Sequence, residues 1–104
     1  MLDETTFRRH CDASIEALKK NLIQREEAEG FEVEEQNGVL NILFEEPSAK
    51  FVITPNTPVR QVWISALSTS FKLDWSETAK NFVLSKTGET LPAVVDRVIE
   101  EHLH

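Results

Sequence analysis

Pro58-Val59-Arg60-Gln61-Val62-Trp63-Ile64-Ser65 is the stretch around which the rest of the chain is organised. Val62 and Ile64 are β-branched and alternate with Gln61, Trp63 and Ser65. A strand sends successive side chains to opposite faces. If Val62 and Ile64 enter a core, Trp63 points the other way, between two polar residues. A large apolar group on the wet face of a sheet often marks a contact site. The competing reading is that another loop or helix covers the indole.

The segments around this strand read as further short strands. Residues 31–36 alternate apolar and acidic as far as Val33, and residues 39–44 form the return strand. Asn37-Gly38 between them is a strong signal for a type I′ hairpin turn, which needs positive φ at both positions. A two-residue turn pairs Gln36 with Val39, Val33 with Ile42 and Phe31 with Phe44. Phe31, Val33, Leu40, Ile42 and Phe44 then share one face, and Glu32 and Glu34 share the other with Asn41 and Leu43. Residues 45–49 are expected to turn around Pro47, and residues 50–53 to form a third strand. Pro55 and Pro58 predict a loop over residues 54–58, because proline lacks a donor and restricts its predecessor. The fourth strand covers residues 61–66, with a Ser/Thr-rich connection over 67–70. Residues 71–75 and 81–85 complete the set, the last followed by a turn at Thr87-Gly88.

Helices close both ends. Over residues 4–24, Phe7, Cys11, Ile15, Leu18 and Leu22 make one apolar stripe. Asp3 is the expected N-cap, and Leu2 and Phe7 suit a hydrophobic staple. Arg8 with Asp12 and Glu16 with Lys20 are expected as weak i,i+4 surface pairs. Over residues 91–103, Leu91, Val94, Val95, Val98, Ile99, His102 and Leu103 fill one face, with Thr90 as N-cap and Pro92 in the first turn. The plan is α+β, a two-layer sandwich. Two terminal helices cover one face of an antiparallel sheet of about six strands, in the order α-β-β-β-β-β-β-α. The other face, with Gln61, Trp63 and Ser65, is left open.

A length of 104 residues suits one domain spanning residues 1–104. The single cysteine, Cys11, excludes an internal disulfide and suits a reducing compartment. The first helix pattern begins within a few residues of Met1, so no signal or transit peptide is expected. No apolar run approaches the ~20 residues of a membrane helix. A cytoplasmic protein that does not engage membranes follows. The net charge of −7 opposes nucleic-acid binding and favours basic protein surfaces or cations.

Few residues suggest catalysis. No close set of His or Cys ligands, phosphate loop or Ser/His/Asp set is present. Cys11 lies on the apolar stripe and reads as core. A metal site shared by His102 and His104 is a minor alternative. Carboxylates stand out: Asp3, Glu4, Asp12 and Glu16 along the first helix, then Glu26, Glu27, Glu29, Glu32, Glu34 and Glu35. Their oxygens suit hard or borderline cations such as Fe²⁺, Mn²⁺, Ca²⁺ or Mg²⁺. They equally suit a solvated acidic face that keeps the protein soluble.

Five pieces in order resemble the frataxin family, in its bacterial type. They are Leu2-Asp3-Glu4-Thr5-Thr6-Phe7, Asn37-Gly38-Val39-Leu40, Thr57-Pro58 through Gln61-Val62-Trp63-Ile64-Ser65, Leu73-Asp74-Trp75, and Ser85-Lys86-Thr87-Gly88-Glu89-Thr90-Leu91. The resemblance implies two near-parallel helices on an antiparallel sheet. It also implies a role in iron–sulfur cluster assembly. Such a protein is not an enzyme; it docks on the cysteine desulfurase and the scaffold protein, acts as a monomer, and binds iron (Fe²⁺ or Fe³⁺) weakly. The implied iron-binding ridge is Asp3, Glu4, Asp12 and Glu16 with Glu32 and Glu34. The implied partner contacts are Asn56, Gln61, Trp63 and Ser65, with Lys72 and Trp75 beyond. The alternative is an iron donor with ferroxidase-type behaviour. The chain departs from the family at Arg8, Ala13, Lys20, Ile23 and Gln24, where acidic residues are frequent. Lys72 stands in place of a common arginine and Thr54 in place of a frequent asparagine. With no tail after the second helix to fill the groove between helices, modest stability is expected.

Overall fold

A computed structural model describes residues 2–46 and 48–103. The elements run α1 (Glu4–Ile23), α2 (Glu26–Glu29), β1 (Phe31–Gln36), β2 (Val39–Glu45), β3 (Ser48–Asn56), a 3-10 turn (Thr57–Val59), β4 (Gln61–Ala66), β5 (Thr69–Ser76), β6 (Asn81–Leu84) and α3 (Leu91–Leu103). The strands form one antiparallel sheet in sequence order. The expected α+β plan of six strands between terminal helices is what the chain adopts. Among the described residues no helix is long and apolar enough to cross a membrane.

The hairpin register follows the sequence. Gln36 pairs with Val39, Val33 with Ile42 and Phe31 with Phe44. Asn37 and Gly38 both have positive φ, as a type I′ turn demands. The turn expected over residues 45–49 is shorter, because Glu45 pairs with Ser48 and Phe44 with Ala49; its expected centre, Pro47, lies outside the described residues.

The apolar stripes meet where periodicity places them. Phe7, Cys11, Ile15, Leu18 and Leu22 of α1 are buried with Leu91, Val94, Val95, Val98 and Ile99 of α3. They join the inward residues of every strand in one cluster, and no buried side chain among the described residues is polar. Cys11 lies in that cluster, and burial pushes its thiol up to about 12, so it is not a nucleophile at neutral pH. Phe82 meets Phe7 edge-on at 5.8 Å and Trp75 at 5.3 Å. His102 packs edge-on against Phe44 and Phe51. His104, its partner in the minor alternative of a shared metal site, lies outside the described residues. The caps are also as expected: Asp3 Oδ1 accepts from the Thr6 N–H at 2.7 Å, and Thr90 Oγ1 accepts from the Ala93 N–H at 3.4 Å.

Local structure departs from expectation in several places. Residues 54–56 are not loop: Thr54, Pro55 and Asn56 pair with Trp63, Val62 and Gln61. Pairing of β2 with β3 ends at Leu40 and Ile53, so this extension has one free edge, where a proline is tolerated. The acidic stretch after α1 contains the short helix α2, closed by Gly30 at φ 73°. Arg25 ties it down, donating to Glu29 Oε2 at 2.6 Å and reaching Asp96 of α3 at 2.6 Å. Arg8 pairs with Glu4 at 2.9 Å rather than with Asp12. Finally, the connection after β4 is only two residues long, because Ala66 pairs directly with Thr69.

That last turn is under strain. Leu67 and Ser68 have φ of 55° and 61°, with no glycine or asparagine to relieve the left-handed geometry. Exchanging the pair by Leu67→Asn and Ser68→Gly is expected to raise stability by about 1 kcal/mol. Chemical denaturation checks it, as a higher midpoint with an unchanged slope.

Candidate functional site: an open sheet face and an acidic border

The helices cover only one side of the sheet. On the other side, Trp63 sits in a cross-strand row between Thr54 and Lys72. It is half-buried, and among the described residues both long helices pack on the opposite face. The covering segment allowed by the sequence is absent from the described residues. The ring is held from two directions. Its indole N–H donates to Gln61 Oε1 at 2.9 Å, and Gln61 Nε2 donates to Asp74 Oδ1 at 3.1 Å. The Ser85 hydroxyl donates to Asp74 Oδ2 at 3.4 Å. The Lys72 ammonium lies 4.8 Å from the ring centroid, within cation–π range. Lost rotamer freedom is part of the cost of binding, so a ring already fixed is suited to anchor a partner.

Asn56, Gln61, Trp63, Ser65 and Lys72 all reach this face. Trp75 does not. Leu73 is fully buried, and residues two apart on a strand share a side, so Trp75 faces the helices. There it stacks on His10 with ring centroids 3.7 Å apart and planes within 8°. Asp74, which the sequence reading left out, belongs to the face. The signal available in the sequence was parity, because Asp74 lies two residues from Lys72 on one strand; the structure adds that it stands opposite Gln61.

The acidic residues divide the same way. Asp12 and Glu16 project from α1 on successive turns and line an open hollow of about 270 Å³ with Glu35 and Gly38. Glu32 and Glu34 do not join them. Phe31 and Val33 turn toward the helices, so Glu32 and Glu34 turn to the open face while Glu35 turns toward α1. Glu35 is thus the strand carboxylate beside α1, and Lys19 of α1 bridges to it at 2.9 Å. Asp3 and Glu4 lie farther up α1 and have partners there: Asp3 caps the helix, and Glu4 pairs with Arg8. Among the described residues no three His, Cys, Asp or Glu side chains converge closely enough to cage a metal. The donors present suit a hydrated cation held loosely by paired carboxylates, not a closed coordination shell.

The family description "Frataxin-like domain" matches residues 1–104. The chain belongs to the frataxin-like family. Among its relatives, an "Iron-sulfur cluster assembly protein CyaY" from Pseudomonas putida strain GB-1 is 30% identical over 100 residues, covering 96% of this chain and 88% of the relative. The protein of that name from Azotobacter vinelandii is 29% identical over 91 residues, covering 86% and 82%. A solved frataxin from Psychromonas ingrahamii superposes with a TM-score of 0.76 at 16% identity, covering 97% of this chain and 91% of the other, a likeness of fold.

Charge sets how this frataxin-like domain responds to acid. Hydrogen bonds hold four carboxyls below their ordinary values: Glu29 through Arg25, Glu89 through Arg97, Glu77 through Lys80 and Asp3 through Thr6. A group depressed by folding stabilises the fold above its unfolded pKa, and that stabilisation is lost as pH falls through the folded value. Protonation of unpaired carboxylates acts oppositely, relieving the self-repulsion of a net charge of −7. The melting temperature is therefore expected to hold or rise slightly on moderate acidification, then fall below about pH 4.5 as the paired carboxyls protonate. A pH series of thermal melts at fixed ionic strength checks it.

Proposed function

We propose that this chain is an iron-binding, non-enzymatic regulator of iron–sulfur cluster assembly in the bacterial cytoplasm. It docks on the complex of cysteine desulfurase and scaffold protein. The observation carrying this reading is the uncovered sheet face with Trp63 pre-set by Gln61 and Lys72. Family membership and the names of the bacterial relatives support the pathway. The division of labour follows from chemistry. Long-range charge on Asp12, Glu16 and Glu35 speeds encounter with a basic surface, while the aromatic supplies the buried anchor.

The test compares the chain with a variant carrying Asp12→Lys and Glu16→Lys in pull-downs from a bacterial lysate. Recovery of the desulfurase by the native chain and its loss with the variant supports docking through the border. Equal recovery contradicts it. Both positions are solvent-exposed, so the variant retains the core.

The second reading is an iron donor, and its supporting observation is the hollow shared by Asp12, Glu16 and Glu35. Iron is then cargo, held weakly and displaced by salt. Titration with Fe²⁺ under anaerobic conditions is expected to broaden amide signals at these three residues first. Uniform broadening, or none, ends this reading.

A further inference from the structure

β5 is eight residues long and β6 is four. Their pairing runs from Ser76 with Asn81 to Leu73 with Leu84 and stops there. The chain then turns away, as the Thr87 and Gly88 N–H groups both donate to the Leu84 carbonyl. Residues 69–72 consequently have β4 on one side and, among the described residues, no strand on the other. Unpaired backbone donors and acceptors along such a border are a template for another strand.

The border also opens on a hollow of about 640 Å³. Ser70 and Lys72, which point to the open face, and Phe71, which points to the helix side, all line it. A cavity touched by both parities of a strand lies along its edge, not over one face. Leu84 closes the end, and Arg97 flanks it from α3 with its guanidinium 5.5 Å from the Phe71 ring centroid. The local charge is opposite to that of the whole. Lys72, Lys86 and Arg97 line the hollow against the single carboxylate of Asp74, on a chain of net charge −7. Glu89 at 2.8 Å and Glu101 at 3.5 Å pair with Arg97 from outside the lining, which leaves Lys72 and Lys86 as the lining cations with no salt bridge among the described residues.

We infer that this notch takes an extended acidic segment of a partner protein, which adds a strand along residues 69–72 of β5. Main-chain hydrogen bonds to the border supply affinity. An apolar residue against Phe71 and Leu84, with acidic neighbours toward Lys72 and Lys86, supplies specificity. The border is roughly 13 Å long, enough for about four residues of an added strand.

The test uses the full chain, ¹⁵N-labelled, and a capped synthetic peptide of alternating glutamate and valine. Saturable amide shifts are expected at residues 69–72 and 84–87. Replacing glutamate by lysine in the peptide should weaken binding by about tenfold or more. N-methylating alternate peptide residues along the pairing edge, at unchanged charge, should abolish it, since those donors make the ladder. Lys86→Glu, at an exposed position, should weaken the acidic peptide by about fivefold. Equal binding by the N-methylated peptide, or shifts centred on Trp63, would overturn the inference. So would displacement of the peptide by a short oligothymidylate, which would assign the notch to nucleic acid. Concentration-dependent shifts of the same amides without peptide would assign it to a second copy of this chain.

Discussion

Trp63→Ala is expected to weaken association with the desulfurase–scaffold complex by about 30-fold or more, the loss typical of an aromatic hot spot. The fold should survive. The indole has no role in the core, since Val62 and Ile64 on either side of it, with Ala66, are the buried residues of β4. The variant loses the contact with Lys72 and the hydrogen bond to Gln61, together about 1 kcal/mol of stability or less. Trp63→Phe separates the two contributions. It keeps an aromatic ring beside Lys72 and removes the N–H, so it should retain most of the binding if the ring is the anchor. Binding is read by titration of the purified complex, with circular dichroism as the control for folding. Unchanged affinity of Trp63→Ala would remove the indole from the interface.

The largest expected loss of stability comes from Phe82→Ala, about 3–5 kcal/mol. Phe82 is fully buried and is the side chain through which the shortest strand reaches both Phe7 of α1 and Trp75 of β5. Its removal leaves a cavity beneath the Trp75–His10 stack, so both the transfer and cavity terms apply. Against a total of about 5–15 kcal/mol for a domain of this size, the variant should be partly or wholly unfolded at 37 °C. Urea denaturation measures the loss. A change under 1 kcal/mol would mean that the α1–β6 contact contributes little.

The fold was legible wherever periodicity was long. Two helices and the Asn37-Gly38 hairpin were readable because apolar spacing, caps and turn chemistry agreed. The extension of β3 through Pro55 was not, since proline argues against a strand until one knows that its neighbour has ended. The tight turn at Leu67-Ser68 carried no signature because its residues are the wrong ones for its geometry. In the candidate site, parity decided most placements. The reasoning that sent Trp63 outward sends Trp75 inward and exchanges Glu32 and Glu34 for Glu35 beside α1. What parity cannot supply is the cross-strand partner, so the Gln61–Asp74 link and the Lys72 contact are visible only in the structure. The notch beside β5 was hidden for a related reason: it follows from where β6 stops, and strand ends are poorly marked in sequence.

The most direct measurement is an amide and indole NMR map of the labelled chain titrated with the purified desulfurase–scaffold complex. Broadening or shifts at the Trp63 indole N–H, at Gln61 and Lys72, and at Asp12, Glu16 and Glu35 are predicted. Perturbation confined to the exposed side of α3, with the Trp63 indole unmoved, would contradict the account.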